Sequence, residues 1–424
     1  MDTEQGYTGF RWYVLVTGLI CNICAMALLI APAPLAGEMA KSLKVDLGVV
    51  LASTMMVYMV FVGVGAIVGG FLINKVGVVR MWIVCSAIQV LSTLLVPVLT
   101  YSIPGLVVVR ALQGICTGPL LSSIPACGAV WFKPRERTFV AAVVGLGVSV
   151  GSAIGLVYTP GIFNIVHDWR TAVAWAAILP SIAVVLAVIA QLGGKPPVQR
   201  ASEDLTAGGP EVRRIAGYGG AVVVCAVLGF INAWTQHGYN DMASGFYAVA
   251  PPVGLGLGPL GAGSRLMFAS YAMAAGTIFT PLLLEKFLKG NARLTIFIGG
   301  IVAGFGVSVI RLLRVDNTAL LIAVPCAVLF FSSFLSPSVF GFIAKFFPAS
   351  ATGKVGGLVA AAATFGGAIG LGLSSVLLSK TGFYWAAMYV LAAVALAGAF
   401  IGLALKPPRT VPVRTASLGV QALE

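Results

Sequence analysis

Charge is what this sequence has least of. Only 9% of its 424 residues are Asp, Glu, Lys or Arg, against roughly a quarter in a soluble globular protein. That scarcity excludes an ordinary soluble domain. Acids are fewer than bases, 13 to 26, and histidine occurs twice, so little is available for acid–base or metal chemistry. No phosphate-binding G-x-x-x-x-G-K-[ST] loop and no metal-ligand cluster occur, and no soluble stretch is long enough to house an ATPase. No cofactor is expected. The N-x-[ST] sequon is also absent, which fits a prokaryotic inner membrane. The short alternating segments of a membrane β-barrel, about ten residues each, are not seen either.

What is there is apolar sequence, 59% of the chain. Runs of about 20 to 28 apolar residues, each able to cross a hydrocarbon layer roughly 30 Å thick, recur from Trp12 to Lys406. The pattern predicts an all-α integral membrane protein with spans at 12–38, 46–73, 79–100, 103–132, 137–165 and 169–193, then 217–249, 264–285, 292–312, 316–346, 352–379 and 383–405. The first run ends in "APAPLAGEM", like a secretory signal, but Asp2 and Glu4 precede it where a basic segment belongs. It is expected to stay as a helix. All seven cysteines fall inside predicted spans, including the Cys21–Cys24 CxxC, and read as small buried hydrophobes.

A net charge of +13 in a soluble chain would raise the question of nucleic acid. Here the cations sort by side instead. One side holds most of them, from Arg11, Lys75 and Arg80 to Lys406, and the other holds only Lys41, Lys44, Arg170, Arg265, Arg311, Arg314 and Lys380. The positive-inside rule then places both termini in the cytoplasm of a multi-pass inner (plasma) membrane protein. The expected organisation is a six-helix bundle over 1–193, a Gly-, Pro- and charge-rich cytoplasmic linker over 194–216, a second bundle over 217–406, and a tail over 407–424. The halves repeat: "WFKPRERTFVAAVVGLGVSVGSAIGL" at 131 aligns without gaps to "FFPASATGKVGGLVAAAATFGGAIGL" at 346, pairing Gly151 with Gly366 and Gly155 with Gly370. Parallel repeats imply two pseudo-symmetric bundles with a substrate site between them near mid-membrane.

Two loops carry patterns. "GGFLINKVGVVR" resembles the motif G-x-L-x-D-R-x-G-R-[KR]-[KR] at Gly70, Leu72, Lys75, Gly77 and Arg80, with Asn74 where the acid belongs. "LVVVRALQGICTG" matches l-x-x-x-R-x-x-q-G at Leu106, Arg110, Gln113 and Gly114. With twelve spans in a six-plus-six arrangement, these make the chain resemble a major facilitator superfamily transporter. The resemblance implies alternating access driven by a gradient, and a cytoplasmic latch at the first motif, here without its counter-ion. In span five, Gly147, Gly151 and Gly155 recur every fourth residue, but Ser152 stands where proton antiporters of the family carry proline. Such spacing also means close helix packing.

Arg110 lies two turns into its span, where a cation facing lipid costs at least a few kcal/mol, so it must face the bundle interior. It either ties helices together or meets an anionic substrate. Span seven adds "FINAWTQHGYNDM": Asn232, Gln236 and Asn240 share one helical face, and His237 and Asp241 another. Asn232 and Gln236 are expected to contact substrate, together with Arg110, Asn22, Tyr58, Tyr271 and Arg265. His237, assisted by Asp241, is expected to couple protons, although Asp241 by its depth could equally be solvated at the outer rim. The leading expectation is a monomeric, proton-coupled carrier of small organic anions of carboxylate type, with protons or a counter-substrate as the other partner. Proton-exchange efflux of hydrophobic compounds and a non-transporting receptor-like or assembly protein stay open.

Overall fold

The structure, a computed structural model, describes residues 9–133, 136–194, 219–347 and 349–406. The expected linker therefore lies almost wholly outside the described residues, and the tail entirely so. Helices follow one another with no strand among the described residues. In order they are α1 (Phe10–Leu43), α2 (Leu47–Ile73), α3 (Val78–Leu94), α4 (Ile103–Gly128), α5 (Gly145–Val166), α6 (Trp169–Leu192), α7 (Gly219–Ala248), α8 (Gly258–Phe287), α9 (Ala292–Leu312), α10 (Thr318–Ile343), α11 (Val355–Thr381) and α12 (Tyr384–Leu403). All but α3 are long and apolar enough to cross a membrane. The predicted third span is thus shorter than read from the sequence. It breaks at Leu95 and regains one turn over Val96–Leu99, because Pro97 fits the first turn of a new helix but not the interior of an old one.

Two other interruptions matter for the site. Helix Phe10–Ile30 stops ahead of Pro32 and Pro34, makes one 3-10 turn at Ala33–Leu35 and resumes as Ala36–Leu43. Neither proline has an N–H, so the carbonyls of Leu28 and Ile30 lose their i+4 donors. In α2, residues Ala52–Met56 form a single wide π turn, a feature often found where helices do more than span.

The side on which α1 starts and α7 begins is called the linker side, the opposite one the far side. The apolar core differs between them. On the far side one cluster unites both halves of the chain, from Met39, Leu51 and Met55 to Tyr247, Leu371 and Tyr384. On the linker side there are two clusters: one built from residues such as Leu15, Trp82, Leu120 and Ala187, the other from Leu228, Ile296, Phe342 and Val359. The molecule is therefore shut at the far side and parted at the linker side.

Glycines make the close contacts. A Cβ at Gly114 or Gly118 of α4 would strike the backbone of α2, and one at Gly65 the carbonyl of Ile115. In α5, Gly151 and Gly155 lie on the carbonyls of Ile23 and Ala27 of α1; in α11, Gly366 lies on the Phe230 carbonyl of α7. The repeat read in the sequence is thus a repeat of packing: α5 seats on α1 as α11 seats on α7. Without a hydrophobic drive between helices in lipid, such backbone approach supplies much of the attraction.

Candidate functional site

A cavity of about 130 Å³ lies at mid-depth between the halves. Met26, Met59, Val62, Leu121 and Val148 form its first wall, from α1, α2, α4 and α5. Ala233 and His237 of α7 with Ala363 and Thr364 of α11 form the second. His237 is the one ionisable side chain in this lining, packed beside Gly367. Thr364 gives its hydroxyl proton to the Ala360 carbonyl one turn back, at 3.1 Å.

Arg110 stands behind the first wall, 3% exposed. Its Nε donates to the Thr54 carbonyl in the π turn (3.0 Å), Nη1 to the Leu28 carbonyl (2.9 Å) and to Gln113 Oε1 (2.8 Å), and Nη2 to the Leu29 carbonyl (2.8 Å) and Met55 Sδ (3.9 Å). All five N–H donors of the guanidinium are used. Leu28 is the residue that Pro32 deprives of a donor, so Arg110 caps the end of a helix, where a cation also suits the helix dipole. The Tyr58 ring lies 4.3 Å from the guanidinium carbon, and its hydroxyl joins the Ala25 carbonyl at 2.8 Å and Thr117 Oγ1 at 2.5 Å. Gln113 and Gln89 extend the network to Thr93 and Thr117.

Asp241 presents the opposite case. It is 1% exposed, and neither carboxyl oxygen has a hydrogen-bond partner. The hydroxyls of Tyr239 and Tyr384 are likewise buried without partners.

Several expected placements differ. Asp241 is in the sealed far-side seam, not at a solvated rim, because the end of α1, residues 33–43, closes over α7 there. His237 and Asp241, one turn apart, form no ion pair: the imidazole faces the cavity while the carboxyl has no partner. Asn232 and Gln236 are half-buried and absent from the cavity lining, since Ala233 and His237 present the neighbouring face. Asn22 is fully buried beside Gly147. Tyr58 is committed inside the first half, and Tyr271, 47% exposed, lies on an outward stripe of α8 with Phe268 and Ile278. Arg265, near the far end of α8, donates Nη1 to the Gly261 carbonyl at 2.9 Å.

At the loop motif, Gly77 turns the chain with φ of +88°, a conformation that needs glycine. Gly70 faces open space, and Lys75 and Arg80 are exposed with no ion pair among the described residues. The side chain of Asn74 lies outside the described residues. The linker-side ion pair that does form is elsewhere, Arg11 to Glu136 at 2.8 Å.

Residues 15–313 match the family model of the Major Facilitator Superfamily. The chain belongs to that superfamily. Among curated relatives, "Probable anion transporter 3, chloroplastic" of Arabidopsis thaliana is 30% identical over 142 residues, 33% of this chain and 27% of that protein. "Probable anion transporter 4, chloroplastic" of the same plant is 30% identical over 146 residues, 33% of this chain and 26% of that one. The chain thus matches about a quarter of the length of these relatives. Among solved structures, a mutant of the nucleoside transporter NupG superposes with a TM-score of 0.69 over 92% of this chain and 99% of that one, at 12% identity. At that identity the likeness is one of fold. Together with eleven helices long and apolar enough to cross a membrane among the described residues, the family match makes this chain a multi-pass membrane protein of that superfamily.

Sequence reasoning missed Met26, Met59 and Thr364 as cavity walls and Tyr384 of α12, which packs on Gly245 one turn beyond Asp241. Methionine and threonine inside an apolar span give no local signal. Gln89 did give one, as an amide in an apolar helix.

Proposed function

We propose that this transporter moves a small organic anion of carboxylate type by proton-coupled alternating access. The observation that carries the reading is His237, an imidazole facing an otherwise neutral cavity between the two halves. It offers one N–H donor when neutral and two when protonated. The two partial relatives from Arabidopsis thaliana, named as probable anion transporters, support it. Asp241 is assigned the coupled proton. A neutral carboxyl suits a sealed seam without partners, whereas an ionised one there would be uncompensated. Opening the far side would hydrate it and bring it within reach of exchange with water. Asn232 and Gln236, one face over from the cavity, are assigned to substrate contact in that opened state. The linker side is assigned to the cytoplasm, on the charge bias, in an inner membrane, and 194–216 is assigned as a tether between bundles.

The apolar first wall favours a second reading, proton-exchange efflux of hydrophobic compounds. Uptake into proteoliposomes separates the two, using labelled carboxylates, inorganic anions, amino acids and cationic dyes with and without an imposed proton gradient. The anion reading expects carboxylate flux that the gradient accelerates. Dye movement with carboxylates ignored would replace it by the efflux reading, and a bound-state shift without any flux would favour a receptor-like protein.

A further inference from the structure

We infer that the cavity accepts an anion with one charged group on an apolar body, a short-chain monocarboxylate, and discriminates against dicarboxylates. This rests on reading the cavity as the substrate site. Donors decide the matter. Thr364 has spent its hydroxyl proton on the Ala360 carbonyl, so it can only accept. All five donors of Arg110 are engaged behind the wall. Arg265 belongs to the far end of α8 and is not in the lining. The His237 ring is then the one side-chain donor left among the lining residues, and it serves one carboxylate.

The opposite wall fixes what the rest of the ligand must be. Met26, Met59, Val62, Leu121 and Val148 supply carbon and thioether surface only. A second carboxylate on the same molecule would be pressed against that surface without a hydrogen bond, the kind of buried charge that is strongly disfavoured. Hydrocarbon there is favoured, roughly fourfold in affinity for each methylene buried. Size sets the limit: where one water needs about 10 to 15 Å³, the cavity holds on the order of ten waters, so the series must stop at a few carbons.

Isothermal titration of the purified full chain in nanodiscs with acetate, butyrate, hexanoate and succinate tests this. Butyrate and succinate share a four-carbon chain and differ by the second carboxylate. Butyrate is expected to bind about tenfold or more tighter than acetate, and succinate at least about a hundredfold weaker than butyrate. His237→Gln should weaken butyrate about tenfold and butyramide, which carries no charge, by much less. Succinate binding as tightly as butyrate would overturn the one-charge inference while leaving the anion-site reading standing. If no carboxylate binds and a hydrophobic dye does, both fall together.

Discussion

Arg110 and Asp241 are both buried ionisable groups, one in each half, and they are treated in opposite ways. The guanidinium spends every donor on protein acceptors. The carboxyl has none of its bonds made. A fully satisfied buried charge rigidifies its surroundings, whereas an unsatisfied one marks a site whose partners arrive in another state, or with water. The contrast separates a clasp from a switch. Arg110, on α4, ties the broken end of helix Phe10–Ile30 to the π turn of α2. Asp241 lies where the two halves meet.

The largest effect is expected at the clasp. Arg110→Ala takes the guanidinium from the Leu28, Leu29 and Thr54 carbonyls and leaves Leu28, which faces the N–H-less Pro32, buried without a donor; it should cost about 3 to 5 kcal/mol. Thermal unfolding of the detergent-purified chain reads this directly. Arg110→Lys, which keeps the charge and loses the fork, should recover only part of the loss. Full stability in Arg110→Ala would make the residue a cavity cation after all.

A second effect, smaller, concerns the glycines of the two motifs. Gly118→Ala drives a methyl into the backbone of α2 and should cost about 1 to 3 kcal/mol, whereas Gly70 faces open space and Gly70→Ala should be neutral or stabilising by up to about 1 kcal/mol. Equal melting temperatures for the two variants would show that the α2–α4 seam is looser than its contacts imply.

Much of this architecture was legible in the residues. The spans follow from apolar length, and the Gly151–Gly366 and Gly155–Gly370 pairing from alignment of the halves. The roles of single polar residues were not. Tyr58 and Tyr271 look alike in sequence, each a tyrosine in an apolar helix, and only the rotation of α2 and α8 against their neighbours buries one and leaves the other 47% exposed. Arg110 finds acceptors on residues more than fifty positions away, and two local events set them up: Pro32 frees one carbonyl and the π turn at Ala52–Met56 holds another. The cavity walls are the hardest case, because Met26, Val62 and Val148 are as apolar as a lipid-facing surface.

The smallest effect on stability is expected at Asp241 itself. Asn has nearly the shape of a neutral carboxyl, and Asp241→Asn breaks no hydrogen bond that the structure contains, so its unfolding free energy should match the parent's to within about 1 kcal/mol. Its effect on function should be large.

That variant gives the most direct test of proton coupling. Substrate exchange and pH-driven accumulation are to be measured side by side in proteoliposomes carrying Asp241→Asn and the parent chain. Exchange requires no net proton transfer, so it is expected to persist near the parental rate, while accumulation driven by an imposed pH gradient is expected to vanish. Parental accumulation in Asp241→Asn would contradict the assignment of the coupled proton to this carboxyl.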